Sequence, residues 1–225
     1  PIWQEFADLY FKKRQRRGVN QYEAYKSMRD RIRFACMMLE TGEADAVIGG
    51  LTRNYPETVR PALQVIGTEK GVKNIAGMYI RLTKQGPLFL ADTTVNFNPS
   101  SEELADITLM VANEVRMFGI TPRIAMLSYS NFGTSNTPEA ILVRRAREIV
   151  KEKNPGLIVD GEMQGIVAFN KEILRDNYPF SELVHGDVNT LIFPNLSAGN
   201  IAYNLLQEVG HFDAIGPVLL GLKRP

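Results

Sequence analysis

The chain has 225 residues and a formal charge of +1, with 44% hydrophobic and 23% charged residues. This composition excludes a disordered chain, and the near-zero charge argues against a dedicated nucleic-acid binder. No apolar run reaches the roughly 20 residues of a membrane span. The start of the chain also lacks the apolar segment of a signal peptide.

Cys36 is the only cysteine in the sequence, so it cannot form an internal disulfide. A single cysteine without a disulfide partner is typical of proteins in the reducing cytoplasm. We therefore expect the protein to be cytoplasmic. The chain starts at Pro1 rather than Met and closes on Pro225 without a tail. We therefore expect both ends to lie inside a longer protein.

The first third of the chain is predicted to be mainly helical. Apolar spacing predicts a helix over Trp3–Lys13, a second from an N-cap at Asn20 through Glu40, and a third over Pro56–Ile66. Between the last two, the apolar run Ala44–Gly49 predicts a buried strand.

The middle of the chain predicts a β-hairpin followed by a helix. Extended segments at Ile75–Leu82 and Leu88–Ala91 flank a turn at Gln85-Gly86-Pro87, which favours antiparallel neighbours. A capping box of Ser100 and Glu103 then begins a helix that continues through Val115 and stops at Gly119.

The rest of the chain alternates strands and helices. The predicted elements are strand Arg123–Ser128, helix Pro138–Lys153, strand Leu157–Asp160, helix Val167–Arg175, strand Thr190–Phe193, helix Ile201–Val209 and strand Ala214–Ile215, with a turn at Gly216-Pro217. Such alternation is typical of an α/β protein with a mainly parallel sheet.

Polar and glycine residues gather just after several predicted strands. They occupy Gly49–Thr52, Ser128–Gly133, Asp160–Glu162 and Pro194–Asn200. Ligands of open α/β sheets bind beyond the carboxyl ends of the strands, so the pattern predicts a binding site built from these loops.

Six stretches, in order, resemble the phosphate acetyl/butyryl transferase family over nearly the whole chain. They are Ala44–Gly50, Val59–Gln64, Ala125–Ser130, Ile158–Glu162, Phe193–Asn200 and Ala214–Leu222. The resemblance implies transfer of an acetyl group between phosphate and the thiol of coenzyme A. It also implies a fold like that of isocitrate and isopropylmalate dehydrogenases, with two α/β lobes facing a cleft.

By this likeness, residues 1–67 form part of a first lobe, residues 68–222 form a second lobe, and residues 223–225 begin the return to the first. The Ser-Arg pair and the Asp that acts as base in the family would follow Pro225. The resemblance therefore implies that no complete catalytic set lies within this chain.

The sequences of four loops are similar to those in the version of this domain that is fused to the C-terminus of bacterial malic enzymes. These loops are Leu51–Tyr55, Ser130–Gly133, Asp160–Gln164 and Asn195–Asn200, with Asn195 and Ala198 where stand-alone enzymes usually have Asp and Thr. The resemblance implies a preceding catalytic domain that oxidises malate with NADP and a divalent cation. It further implies a homo-oligomer, and acetyl-CoA, CoA or phosphate as ligand of the present domain.

Arg60 matches the family's phosphate-binding arginine in Val59-Arg60-Pro61. A guanidinium suits a phosphoryl group because it donates bidentately and keeps its charge. The alternative is a helix-surface arginine in an ion pair.

A second set of candidate residues, for phosphate or CoA binding, follows the strand that begins at Arg123. Its members are Ser128, Tyr129, Ser130, Asn131, Gly133 and Thr134. Backbone amides and hydroxyls there could bind an anion or the CoA chain, although the same residues favour ordinary turns.

A third set is expected to line the cleft: Asp160, Glu162, Ser197, Gly199, Asn200 and Gly216. Asp160 and Glu162 could act as an acid/base pair, or could cap loops and position other residues. Ser197 is a natural N-cap for the helix that follows it.

No metal or dinucleotide site is expected in this chain. His185 and His211 are far apart in sequence, and no Gly-rich phosphate loop of the dinucleotide or Walker type is present. NADP would therefore bind elsewhere. The basic run Lys12–Arg17 is interpreted as a solvated helix end, with a nucleic-acid, CoA-phosphate or subunit contact as alternatives.

Three functions stay open at this point. The chain could be an acyl-CoA-binding regulatory domain, most of an active phosphate acetyl- or butyryltransferase, or a scaffold for oligomerisation only.

Overall fold

The computed structural model describes residues 2–210 and 213–225, and it divides into two compact units. One unit comprises the residues up to Lys73 together with Gly221–Pro225, and the other is Asn74–Leu220. The division falls between Lys73 and Asn74, and the lobe boundary expected after residue 67 stays a prediction. No helix in the described residues is long and apolar enough to cross a membrane.

The described residues of the first unit form four α-helices. They are α1 (Ile2–Arg14), α2 (Gln21–Ser27), α3 (Arg31–Thr41) and α4 (Tyr55–Val65). Their apolar stripes meet in one core that includes Phe6, Tyr10, Met37 and Leu39. The predicted cap at Asn20 is confirmed, because its side chain accepts a hydrogen bond from Glu23 N at 2.8 Å. The Glu23 side chain accepts from the Asn20 backbone N–H in return.

The single helix predicted from Asn20 through Glu40 is wrong. The chain leaves the helix after Ser27, and Asp30 starts a new one by accepting a hydrogen bond from Arg33 N at 2.8 Å. An aspartate side chain at this position satisfies a backbone donor that a continuous helix would have bonded internally.

The strand predicted at Ala44–Gly49 is also absent. Val47 N donates to Pro225 O at 3.3 Å, but no strand of the described chain pairs with this segment. The side chains of Ile48 and Leu51 are fully exposed. An apolar run becomes a strand only where a neighbour satisfies its backbone groups.

The second unit contains a six-stranded mixed sheet in the order β4-β3-β5-β2-β1-β6. The strands are β1 (Ala76–Thr83), β2 (Gly86–Ala91), β3 (Arg123–Leu127), β4 (Ile158–Met163), β5 (Thr190–Ile192) and β6 (Ala214–Leu220). The predicted hairpin is confirmed, since β1 pairs antiparallel with β2 from Met78↔Ala91 to Thr83↔Gly86.

The expectation of a mainly parallel sheet needs correction. β4, β3, β5 and β2 are parallel neighbours, but β1 is antiparallel to both β2 and β6. β6 was predicted to end before Gly216-Pro217, yet the strand runs through both residues to Leu220. A register shift against β1 accommodates them, and an edge strand tolerates a proline because its outer side needs no donor.

Among the residues that the structure describes in this unit, five α-helices cover the two faces of the sheet. They are α5 (Ser101–Met117), α6 (Pro138–Lys153), α7 (Gly165–Phe169), α8 (Lys171–Asn177) and α9 (Leu196–Gly210). Neighbouring strand residues point to opposite faces. Phe89 thus packs with the cores of α5 and α6, and Leu90 packs with residues of α7, α8 and α9. The helix predicted over Val167–Arg175 is broken at Asn170, whose side chain caps α8.

Candidate functional site

The four parallel strands bring their carboxyl ends to one edge of the sheet. The loops that follow β3, β4 and β5 are three of the four predicted to form a site, and the loop after β2 lies at the same edge. This edge is where open α/β sheets bind ligands. The fourth predicted loop, Gly49–Thr52, belongs to the first unit and follows no strand of the described residues.

Glu162, at the end of β4, anchors the loop after β3. Its side chain is completely buried, and Oε1 accepts from Ser130 Oγ at 3.0 Å, Gly133 N at 2.8 Å and Arg144 Nη2 at 2.9 Å. Oε2 accepts from Arg144 Nε at 3.1 Å. A buried carboxylate with this many donors holds the loop in one conformation.

The charge state of Glu162 follows from these contacts. Burial by itself would raise the pKa of this carboxyl, but the hydrogen bonds from Arg144 and from the Gly133 amide outweigh it and hold the pKa below its usual value. At neutral pH Glu162 is therefore ionised, and both of its carboxylate oxygens already accept hydrogen bonds. Such a carboxylate suits an anchor for the loop better than a general acid.

The predicted residues of the β3 loop form one hydrogen-bonded turn. Ser128 Oγ accepts from Ser130 N at 3.2 Å, and Ser130 Oγ lies 3.0 Å from Thr134 Oγ1. Asn131 Oδ1 accepts from Gln164 N at 2.8 Å, which ties this loop to the end of β4. These residues thus form an internally bonded turn, and their role in binding stays a prediction.

Three of the predicted residues in this loop are exposed, and Ser128 and Asn131 are half-buried. Tyr129 is 56% exposed, with its hydroxyl bonded to Thr137 and Ser135. Gly133, at φ +92°, and Thr134 are also exposed. The loop therefore presents one aromatic ring, one hydroxyl and a short run of backbone to the surroundings.

Asp160 lies two residues before Glu162 on the same edge strand. Its Oδ1 is 3.3 Å from Arg147 Nε and accepts from Gly161 N at 3.0 Å. Arg144 and Arg147, three apart on α6, thus each face one buried carboxylate of β4. Sequence reasoning missed both arginines, although basic residues one helical turn apart after a polar loop were a usable signal.

The start of α9 differs from the prediction. The helix begins at Leu196 rather than Ile201, and Asn195 caps it by accepting from Ala198 N at 2.9 Å. The N-cap role assigned to Ser197 is therefore wrong, because Asn195 already fills it. Ser197 is exposed in the first turn.

Gly199 and Asn200 join α9 to the loop after β2. A Cβ on Gly199 would lie 2.2 Å from Asp92 O, so only glycine permits this approach. Asn200 Nδ2 donates to Thr93 O at 3.4 Å. Gly216 does not share this position; it lies inside β6, where a Cβ would come 2.9 Å from Met78 O.

Asp92 organises the β2 loop and was not identified from the sequence. Its side chain is 2% exposed, and its oxygens accept from the backbone amides of Gly77, Thr94, Val95 and Asn96 at 2.8 to 3.2 Å. An aspartate directly after an apolar strand was the only signal available.

Arg60 lies in the first unit, on α4, with its side chain exposed. Among the described residues it makes no hydrogen bond or ion pair, so the ion-pair alternative finds no support there. Its charge is available to a ligand.

The described residues contain no group of three or more His, Cys, Asp or Glu that could hold a metal ion. His185 lies in a short 3-10 segment after α8, and His211 lies outside the described residues.

Comparison with known proteins gives a consistent result. The whole chain, residues 1–225, matches the family described as phosphate acetyl/butaryl transferase. It is 41% identical to the NADP-dependent malic enzyme of Escherichia coli K12 over 100% of this chain and 30% of that protein. It is 40% identical to the phosphate acetyltransferase of Bacillus subtilis 168 over 96% of this chain and 66% of that protein.

The fold is similar to that of a phosphotransacetylase from Streptococcus pyogenes. The two superpose with a TM-score of 0.91 at 36% identity, covering 99% of this chain and 68% of the other. Malic enzymes and phosphate acetyltransferases thus share this domain, and the chain spans only part of each. The chain belongs to the phosphate acetyl/butaryl transferase family.

Proposed function

We propose that the chain is an acyl-CoA-binding regulatory domain of a larger NADP-dependent malic enzyme. In that enzyme a catalytic domain of the same polypeptide would convert malate to pyruvate by oxidative decarboxylation, using NADP and a divalent cation. The supporting observation is that malic enzymes match this chain over its whole length while it spans 30% of theirs.

Binding is proposed to rest on the loop that Glu162 anchors. A preorganised loop loses little conformational entropy when a ligand arrives, which favours affinity. Its exposed residues Tyr129, Gly133 and Thr134 would contact the polar pantetheine chain. Arg60, in the first unit, is separately proposed to bind a phosphate through its fixed positive charge.

We further propose that the two units are the two lobes of the family, with the first completed by residues that follow Pro225. Val47 already pairs with Pro225, and the adjacent Ile48 and Leu51 are fully exposed. A longer protein should therefore protect the amides of residues 46–51 from hydrogen exchange more strongly than this chain does. Equal exchange in both would contradict the proposal.

Regulation requires acetyl-CoA to bind one state of the enzyme better than another, because equal binding shifts no equilibrium. The test is malate oxidation by the full-length protein during an acetyl-CoA titration. We expect a saturable change in turnover. Unchanged turnover, with binding confirmed by calorimetry, would contradict the regulatory role and leave the binding site intact.

The alternative is an active phosphate acetyl- or butyryltransferase, favoured by the 40% identity to the Bacillus subtilis enzyme. In that reaction the C–S bond of acetyl-CoA breaks, a C–O bond to phosphate forms, and the CoA thiolate takes up a proton. Production of acetyl phosphate by the full-length protein would establish this alternative. If the full-length protein does not bind CoA, a scaffold for oligomerisation would be the remaining function. The cytoplasmic location and the homo-oligomeric state of the protein stay predictions.

A further inference from the structure

The loop between β3 and α6 uses its own backbone donors. Six consecutive amides, from Ser130 to Ser135, each donate a hydrogen bond within the protein at 2.8 to 3.2 Å. Their acceptors, in chain order, are Ser128 Oγ, Thr134 Oγ1, Glu162 O, Glu162 Oε1, Asn131 O and Ser130 Oγ. A ligand therefore finds no free backbone N–H in this stretch, which is the group that would have bound an anion.

The anion position of this loop is already filled by the protein itself. Turns that aim backbone N–H groups at one point bind anions. Phe132 at φ +45° and Gly133 at φ +92° form such a turn, and Gly133 N donates to the Glu162 carboxylate. Ser130 Oγ and Arg144 donate to the same carboxylate. The Glu162 side chain is completely buried, so a ligand cannot share its position.

The backbone groups that the loop leaves free are acceptors. In the part of the chain that the structure describes, no group donates to the carbonyl oxygens of Phe132, Gly133 or Thr134. Gly133 and Thr134 are exposed. The side-chain donors of this loop, among them the Tyr129 hydroxyl and the Asn131 amide, carry no charge. The surface of the loop thus suits N–H donors better than phosphate oxygens.

Arg144 does not reverse this preference. Its Nε and Nη2 bind Glu162, and Nη2 also donates to Ser135 O. Only Nη1 has no hydrogen bond to a described residue. A phosphate that approached Nη1 would also approach the Glu162 carboxylate, so repulsion by one charge largely offsets attraction to the other.

We propose that Glu162 determines the specificity of this loop, because it occupies the anion position, excludes phosphate and leaves backbone carbonyls that select a ligand by its N–H donors. The two secondary amides of S-acetylpantetheine, a part of acetyl-CoA without phosphate, fit these acceptors. The phosphates of acetyl-CoA would then bind elsewhere, as proposed for Arg60. The choice of pantetheine rests on the proposed function, whereas the exclusion of phosphate does not.

The first test replaces the buried carboxylate by one from solution. In the full-length protein, Glu162→Ala should speed hydrogen exchange of amides 130–135, measured by mass spectrometry. Formate should restore their protection in a saturable manner, because it refills the vacated position. Glu162→Gln is the matched control, since its side chain fills the same space and leaves no room for formate. Sodium chloride at equal ionic strength controls for screening.

The second test needs no substitution. Tyr129 is 56% exposed in the loop, and Tyr22, 73% exposed on α2 in the first unit, is the internal control. Saturating S-acetylpantetheine should slow nitration of Tyr129 in the full-length protein without changing Tyr22. Inorganic phosphate should leave Tyr129 unchanged. An S-acetylpantetheine analogue with an ester in place of one amide should bind about fivefold more weakly, the loss of one neutral hydrogen bond.

The outcomes separate this inference from the proposed function. Formate without effect on Glu162→Ala, or with the same effect on Glu162→Gln, would overturn the anion position. Phosphate that protects Tyr129 would overturn the exclusion. If acetyl-CoA binds by calorimetry but S-acetylpantetheine leaves Tyr129 unprotected, selection by amides is wrong. If acetyl-CoA does not bind at all, the proposed function fails, and the formate experiment still decides the role of Glu162.

Discussion

Arg144 on α6 binds both carboxylate oxygens of Glu162, with Nε–Oε2 at 3.1 Å and Nη2–Oε1 at 2.9 Å. The same Nη2 donates to Ser135 O at 2.8 Å. One guanidinium therefore connects helix α6, the end of the edge strand β4 and the loop between β3 and α6. The candidate binding loop depends on this pair for its shape.

Replacing Arg144 by Met should destabilise the protein by about 3 kcal/mol, because it leaves a fully buried carboxylate without its countercharge. Arg145→Met is the matched control. The ion pairs of Arg145 with Glu148 and Glu152 are exposed, so its loss should destabilise the protein clearly less than the loss of Arg144. Urea unfolding measures both, and equal losses would contradict the role of Arg144.

Glu162 should also make stability depend on pH. Its folded-state pKa lies below the unfolded value of about 4.3, so its contribution is complete above about pH 5 and is lost as pH falls through the lowered native pKa. Glu162→Gln removes this titration. The difference in free energy of unfolding between the two proteins should therefore shrink as the pH falls below about 5.

The pKa of Asp30 is lowered as well, because hydrogen bonds from Arg53 and from the Arg33 amide outweigh the raising effect of burial. Asp30 is present both in the parent protein and in Glu162→Gln, so its contribution cancels in the difference between their free energies of unfolding. A difference that stays constant with pH would show that the Glu162 carboxylate carries no net stabilising charge.

Gly199→Ala should cost about 2 kcal/mol or more, since its Cβ would meet the backbone oxygen of Asp92, which cannot rotate away. Gly165→Ala is the control, because no atom lies within 4 Å of its Cβ position. Thermal unfolding should separate the two variants. Equal midpoints would mean that α9 and the β2 loop are not in close contact.

Arg60→Gln should lower the affinity for acetyl-CoA about tenfold, or about 1.4 kcal/mol, if its charge meets a ligand phosphate. Because its side chain is exposed and makes no bond among the described residues, the free energy of unfolding should not change. Calorimetric titration of the full-length protein measures the affinity, with Arg145→Gln as control. The same affinity in all three proteins would remove Arg60 from the site.

Cys36 should react with iodoacetamide only when the chain unfolds. Burial raises the pKa of its thiol to about 11, and the side chain is 1% exposed. The thiolate is the reactive form, so little of it exists near pH 8. Mass spectrometry should find slow alkylation in buffer and rapid alkylation in concentrated urea; rapid alkylation in buffer would contradict the packing of α3.

Local signals predicted much of the secondary structure. The capping boxes at Asn20 and at Ser100, and the exact bounds of the helix Pro138–Lys153, depend on residues within one or two helical turns. The β-hairpin likewise follows from a short turn between two extended segments. The family resemblance rested on consecutive residues for the same reason, and the comparisons confirm it.

Contacts between distant residues decided the rest. Asp30 and Asn170 interrupt helices whose apolar spacing continues, and residues 44–49 lack the neighbour that would make them a strand. The pairing of Arg144 with Glu162 joins residues 18 positions apart, and β6 reaches β1 from the far end of the chain. A sequence by itself determines which segments can be helical or extended and which residues can carry charge. Only the folded chain determines which backbone groups find partners and which charges lose their water, because both depend on what the fold places beside them.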